Sequence, residues 1–397
     1  MRIRYATEKD GKPVKKAVVY TQDEHGINVT NVDAEAVHII ERLKAGGYEG
    51  YIVGGAVRDL ILGKKPKDFD IVSDASPTRI KKLFRTARII GHRFRLVHVS
   101  FGPKIFEVST FRSLEGGANS NTYGTIEEDV LRRDFSLNAL FYDPLTQVVV
   151  DYVGGMKDIQ EKRIRPIIPL ATIFKDDPVR MIRAVKYAAT TGCKLPLSLK
   201  WQIRREFRLL ADISPSRLTE EIFKIIHGSA TALIVENLEA FGLYAYLQPN
   251  AVQLMKGKGD FRTRYFNRLA ALHQEGSTGV PGEAIAALVW DYLEDTIDWA
   301  GEGIAEQYKD IFMAARRFVL PMNPPRVELD QGVRLIFKRH GITIKKSRFP
   351  ERERPPFPAR IAGVQRPDTQ AYPQAEAVPK KRHRRHRRDE SPHTDDS

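Results

Sequence analysis

One short stretch constrains this chain more than any other. Tyr51-Ile52-Val53 runs straight into Gly54-Gly55, then come Ala56–Leu62 and Lys67-Asp68-Phe69-Asp70-Ile71-Val72. The first segment reads as a strand entering a glycine turn, and Ala56–Leu62 as a short helix that Gly63 closes. The last reads as a strand that carries two acids. Side chains alternate along a strand, so Asp68 and Asp70 are expected on one face while Phe69 points into the core. Two parallel carboxylates repel each other unless a cation lies between them. Mg²⁺ suits such hard oxygen ligands, and two ions about 4 Å apart can hold the attacking and leaving oxygens of a phosphoryl or nucleotidyl transfer. The glycine turn at a helix start offers free N–H groups and a helix dipole to a phosphate. Either piece alone is weak, since many Asp pairs are solvated strand ends and Gly-Gly is usually just a turn. Their order along the chain makes the combination specific.

A third carboxylate for such a centre would come from a neighbouring strand. Glu107, in Ile105-Phe106-Glu107-Val108, is the candidate; the plainer alternative is a strand-edge Glu paired with Arg112. Phe69–Val72, Arg95–Ser100, Ile105–Phe111, Leu137–Tyr142 and Val148–Val153 alternate or run apolar as strands do, and Val32–Leu43 has the spacing of an amphipathic helix. From Pro178 on the spacing is helical, over Val179–Ala189, Lys200–Leu210, Arg217–Ile226 and Thr231–Phe241, then patchily to about Lys338. The expected fold is an α+β N-terminal head over residues 31–153, a small mixed sheet with helices, after a loosely structured lead-in over 1–30. An all-α neck (154–230) and body (231–346) follow, then a disordered Pro/Arg-rich basic tail (347–397).

The chain carries a net charge of +14, of which the tail holds only part. Residues 347–397 have 12 Lys and Arg against 8 Asp and Glu, so the preceding residues carry +10. A basic body makes a polyanion, in the simplest case RNA or DNA, the default partner. Lys380–Arg388 is a like-charge block that should stay extended and add salt-dependent phosphate contacts. The single cysteine, Cys193, excludes an intrachain disulfide and a Cys-rich zinc site, which fits a reducing cytosol. The longest apolar run, Ala284–Trp290, has seven residues, against the roughly 20 that a membrane span needs. The N-terminus lacks the apolar segment of a signal peptide. A cytoplasmic protein without a membrane partner is expected.

Four segments in series carry a family resemblance over roughly residues 50–225. They are Gly54-Gly55-Ala56-Val57-Arg58-Asp59 with Asp68-Phe69-Asp70; Arg132-Arg133-Asp134-Phe135-Ser136-Leu137-Asn138-Ala139-Leu140; Asp151-Tyr152-Val153-Gly154-Gly155; and Asp176-Asp177-Pro178-Val179-Arg180-Met181-Ile182-Arg183-Ala184-Val185. This set resembles the class II nucleotidyltransferases, the group containing bacterial poly(A) polymerases and tRNA CCA-adding enzymes. The resemblance implies a nucleotidyltransferase head and template-independent addition of nucleotides to RNA 3′ ends. It also implies that Asp68 and Asp70 hold Mg²⁺ (with Mn²⁺ as a substitute) and that Gly54, Gly55, Arg58 and Arg133 contact the triphosphate. Asp134 would be catalytic or meet the ribose 2′-hydroxyl. Asp177 and Arg180, with Arg183 beside them, would bind the nucleotide base. A carboxylate accepts from the exocyclic amine of adenine or cytosine and a guanidinium donates to the ring acceptor, so this pair selects A and C over U and G without separating A from C. Two positions depart from the family pattern: Asp176 stands where Glu is usual and Lys186 where Arg is frequent. Arg and Lys are not equivalent at a planar hydrogen-bonding site, so Lys186 puts base orientation there in doubt.

Ile89–Val99 resembles the segment that separates bacterial poly(A) polymerases from their CCA-adding relatives, with His92 where a second Arg is typical. With the basic C-terminal extension, it points to AMP addition from ATP to varied RNA 3′ ends, as in RNA polyadenylation linked to processing and decay. A tRNA CCA-adding enzyme is the alternative. A non-catalytic RNA-binding protein on a degenerate polymerase fold is a second. A monomer is expected, with RNA-decay machinery as the protein partner. Trp290 and Trp299 read as helix packing anchors.

Overall fold

A computed structural model describes residues 2–7, 13–91, 95–114, 122–272 and 282–344. The expected tail over 347–397 and His92-Arg93-Phe94 lie outside the described residues. The rest falls within one unit, Met1–Lys346.

Among the described residues nine strands build the head: β1 (Arg2–Thr7), β2 (Pro13–Tyr20), β3 (Gly50–Val53), β4 (Asp70–Ser73), β5 (Ala87–Ile90), β6 (Leu96–Phe101), β7 (Lys104–Thr110), β8 (Leu140–Asp143) and β9 (Val148–Asp151). They form one sheet in the order β1-β2-β9-β8-β3-β4-β7-β6-β5. Every pairing is antiparallel except β4 with β7, so the sheet is mixed as expected. Tyr51, Val53, Val72, Phe141 and Val150 share a buried cluster with Phe111 and Val130. The helix Ala34–Ala45 starts at Asp33, whose carboxylate accepts from Glu35 N at 3.0 Å, and it packs on β3 and β4 through Ala36, Ile39, Ile40 and Leu43.

Three expectations need correction. Residues 1–30 are more than a lead-in, because β1 and β2 extend the sheet: Val18, Val19 and Tyr20 pair with Asp151, Val150 and Val149 of β9. Lys15-Lys16 interrupts the apolar alternation of β2, which hides the strand in the sequence. Leu137 lies in a 3₁₀ turn, Ser136–Asn138, and β8 starts only at Leu140. Asp68 precedes β4 in irregular chain, since the strand begins at Asp70.

The helical half follows expectation. Val179–Thr191 and Pro215–Ile226 of the neck pack together with Thr231–Ala240, the first helix of the body. Glu283–Thr296, Tyr308–Phe318 and Arg326–Arg339 form the far end. Trp299 stacks on His340 with centroids 4.1 Å apart, and Trp290 Nε1 donates to Glu294 at 2.7 Å, as packing anchors would. Among the described residues no helix is long and apolar enough to cross a membrane.

Candidate active site

Gly54 is the geometric centre of the site. It follows β3 with φ +72°, in the left-handed region that favours glycine, and it caps the helix Gly55–Ile61. A Cβ on Gly54 would lie 3.9 Å from both Asp70 Oδ2 and Arg133 Nη1. The turn therefore brings a bare stretch of backbone between a carboxylate and a guanidinium. Asp70 reaches it because β4 pairs with β3 in the register Val53 opposite Asp70.

Asp70 stands exposed at the strand's start, with protein packed around its carboxylate. That desolvation raises its pKa, and the charges of Glu107 and Asp68 raise it further. Arg133 and Lys224 pull the other way. Glu107 lies on β7, the parallel neighbour of β4. Its ion-pair partner is His98 across the β6–β7 ladder, at 3.4 Å, a pairing set by cross-strand register and invisible in linear sequence.

Among the described residues no group of three or more His, Cys, Asp or Glu side chains could hold a metal by themselves. The donor set is instead open. Asp68 and Asp70 keep access to solvent and repel each other, a repulsion that a divalent cation with water and substrate oxygens on its remaining positions would relieve. These residues fit Mg²⁺ in that sense.

Arginines brace the turn. Arg58 is buried, donates to Asn138 Oδ1 at 2.8 Å and to Asp59 Oδ1 at 2.7 and 2.9 Å, and lies 5.1 Å over the Tyr187 ring. Its place beneath Gly55 makes it a brace of the glycine turn. Arg133 donates to Asp129 Oδ2 at 2.8 and 3.1 Å and to Asn138 O at 3.2 Å. Asp134 is buried; its Oδ1 accepts from Phe135 N at 2.8 Å. Its Oδ2 pairs electrostatically with Arg183 Nη2 at 2.9 Å without the alignment of a hydrogen bond.

The Asp151–Gly155 motif places this loop. Asp151 accepts from Val153, Gly154 and Gly155 N through Oδ1 and from Met156 N through Oδ2, capping the helix Gly155–Gln160. That helix packs so closely on the turn after Asp134 that a Cβ on Gly155 would sit 2.3 Å from Ser136 O. Its role is to position, and it carries no chemistry of its own.

The neck closes over the turn. Lys67 Nζ donates to His227 O and Lys64 Nζ to Thr190 O, pinning head to neck. Asp177 accepts from Val179 N at 3.2 Å, and both its oxygens from Arg217 Nη2 at 2.8 and 2.9 Å. Arg180 donates to Ile173 O at 3.1 Å; burial lowers its pKa, while Asp177, Asp134 and Asp176 favour its charge. Arg183 donates to the Tyr187 hydroxyl at 3.1 and 3.2 Å; burial opposes its charge, but Tyr187 and Asp134 raise its pKa overall. Lys186 is tied to buried Glu221 at 2.8 Å, which joins two neck helices. Among the sequence candidates, Gly54, Asp70 and Arg133 thus meet in one place. Asp134 is linked to Arg183, and Arg180 senses the charges of both Asp134 and Asp177.

Arg217, Tyr187 and Asn138 escaped the sequence reading as site residues. Tyr187 is four residues from Arg183, a helical spacing that could have flagged it. Asn138 lay inside a quoted motif without a role. Arg217 is 40 residues from Asp177 and left no local signal.

Comparison with known proteins identifies the family. The Poly A polymerase head domain matches residues 50–165, and a domain described as the probable RNA and SrmB-binding site of polymerase A matches 198–255. Poly(A) polymerase I of Escherichia coli O6:H1 is 36% identical over 327 residues, covering 77% of this chain and 70% of that protein. The chain belongs to the poly(A) polymerase family. Poly(A) polymerase I of Salmonella typhi is 41% identical over 258 residues, or 61% of this chain, and the match spans only 56% of that relative's length. The crystal structure of the Bacillus stearothermophilus CCA-adding enzyme in complex with CTP superposes with a TM-score of 0.53 at 26% identity, covering 78% of this chain and 83% of that one. The nucleotidyltransferase head and helical body read from sequence are therefore those of this family.

Proposed function

We propose that this chain adds AMP residues from ATP to RNA 3′ ends without a template, as a polynucleotide adenylyltransferase. The observation that carries the reading is the meeting of Asp70 Oδ2 and Arg133 Nη1 over the Gly54 backbone. That arrangement sets a metal-type carboxylate and a phosphate-type cation on either side of a helix N-terminus.

Asp68 and Asp70 would hold Mg²⁺, or Mn²⁺ in its place. The metal's contribution would be to lower the pKa of the attacking 3′-hydroxyl and neutralise charge on the triphosphate. The chain's own residues do the rest. Gly54 and Gly55 offer N–H groups to the triphosphate while Arg58 braces them, and Arg133 meets its negative charge. Asp134 Oδ2, charge-paired but lacking a hydrogen bond, can accept from a ribose hydroxyl. Arg183, 2.9 Å away, orients that carboxylate. Asp177 retains lone pairs beyond those Arg217 uses, and with Arg180 it offers an acceptor and a donor for the Watson–Crick edge of adenine. The account carries with it a cytoplasmic monomer with RNA-decay machinery as partner.

The likeness to two poly(A) polymerases I supports AMP addition over CCA addition. The test of that choice is tRNA ending before its CCA, offered CTP or ATP in separate reactions with Mg²⁺. Efficient CTP incorporation with little ATP polymerisation would overturn the assignment. Arg180→Ala is expected to cut discrimination between ATP and UTP or GTP about tenfold or more, as loss of a charged hydrogen bond should. RNA affinity should hold within about twofold by the same reasoning. Competition between nucleotides in single additions checks it, and an unchanged ATP preference would remove Arg180 from base reading.

A further inference from the structure

The helix Leu197–Glu206 buries Leu199, Gln202 and Ile203 on one side and exposes Leu197 (82%) and Trp201 (59%) on the other. Leu197, Trp201 and Arg205 follow one another at four-residue spacing, so they share the outward face. Lys194, Arg204, Arg205 and Arg208 are also exposed. Most neck arginines near the site meet carboxylates, as Arg183 does with Asp134 and Arg217 with Asp177. Among the described residues these four cations have no Asp or Glu ion-pair partner. The arginines lie over rings instead: Arg205 is 5.3 Å from the Trp201 centroid, Arg204 5.4 Å from Phe241 and Arg208 5.8 Å from Phe207.

A tryptophan in this setting is not packing a core. The guanidinium of Arg205 lies over one face, and more than half of the residue is open to water. An open aromatic face flanked by cations without carboxylate partners is complementary to a single-stranded nucleic acid, whose bases stack and whose phosphates need counter-charge. The helix also packs against Ile173–Asp176, the short helix that ends at Asp177. The helix that carries Trp201 is therefore a direct neighbour of the segment that carries Asp177.

We infer that Trp201, backed by Arg205, is a stacking platform for a base of the RNA strand upstream of its 3′ end, with Lys194, Arg204 and Arg208 meeting its phosphates. This rests on the RNA 3′-end reading above and, within the matched RNA-binding domain of residues 198–255, adds the residues and the mode of acceptor binding. Stacking reads no sequence, which suits an enzyme that must accept varied RNA ends.

The test uses the full chain and a 5′-fluorescein oligoadenylate, with affinity read by anisotropy and turnover by AMP addition. Trp201→Ala should raise the Kd about 5- to 100-fold, the range of one base–aromatic stack. Trp201→Phe should recover most of that loss because a ring remains. Both should keep the wild-type KM for ATP. Arg205→Ala should weaken binding and reduce the salt slope of log Kd by about one. An oligonucleotide abasic along its length should bind Trp201→Ala and wild type alike. Wild-type RNA affinity in Trp201→Ala, with normal extension by the wild type, would overturn the platform alone and assign the face to a protein partner. Failure of the wild type to bind or extend RNA would overturn the function reading as well.

Discussion

Asp70→Ala is expected to lower nucleotide addition by about 1,000-fold or more at any ATP concentration, the several kcal/mol that a metal-holding carboxylate contributes to such a transfer. Affinity for RNA should stay within about twofold, because a carboxylate repels phosphate rather than holding it. Stability supplies the control. Burial together with Glu107 and Asp68 raises the folded pKa of Asp70. Its ionised form therefore costs stability, a cost that sets in as pH rises from the unfolded value through the raised one. At neutral pH the alanine variant should melt at or above the wild-type temperature. Single-turnover extension of a labelled RNA, beside a thermal melt, checks both halves. Wild-type-like extension by Asp70→Ala would remove it from the transfer chemistry. Lost activity together with a lowered melting temperature would make its role structural.

Gly155→Ala is expected to have the largest effect on the fold around the site. The new methyl would meet Ser136 O at 2.3 Å, Ser136 C at 3.0 Å and Leu140 Cδ2 at 3.1 Å. Two of these are backbone atoms in a buried turn and cannot swing aside. Overpacking of this kind costs about 3 kcal/mol, which in a domain of this size lowers the melting temperature by roughly 6–12 °C. The displaced segment carries Asn138, which holds Arg58 and Arg133, and it follows directly on Asp134. Nucleotide addition should therefore fall even at temperatures where the variant stays folded. A calorimetric melt and an activity assay at 20 °C below that melt separate the two effects. A variant with the wild-type melting temperature and full activity would show that the close approach is not required.

What the sequence made legible follows from the reach of each signal. The strand–glycine–helix unit at Val53–Ile61 could be read because φ above zero at Gly54 and the alternation of β3 are local requirements. The neck helices could be read because their apolar period runs over ten residues or more. β1 was missed because it is a short edge strand, β2 because Lys15-Lys16 blurs its alternation, and β5 because four residues carry little pattern. Among the proposed site residues, Asp70 and Gly54 announced themselves by spacing. The Asp177–Arg217 and Lys186–Glu221 pairs did not, since they depend on how helices pack across 40 and 35 residues of chain. Glu107, flagged in sequence as an acid amid apolar neighbours, lies close enough to raise the pKa of Asp70, but its partner is set by ladder register. Trp201, the most exposed tryptophan, lay within an otherwise ordinary amphipathic pattern, and only its exposure distinguishes it from the packed Trp290 and Trp299.

The central claim, template-independent addition chosen by a protein-held base reader, is tested most directly by one experiment. The purified chain is given Mg²⁺, an unstructured RNA and each of the four nucleoside triphosphates in a separate reaction. The base reader requires long products with ATP and almost none with UTP or GTP; because it does not separate A from C, the AMP-adding assignment is what further requires short or slow products with CTP. Products that stop within three nucleotides and depend on CTP, or comparable extension with all four, would contradict it.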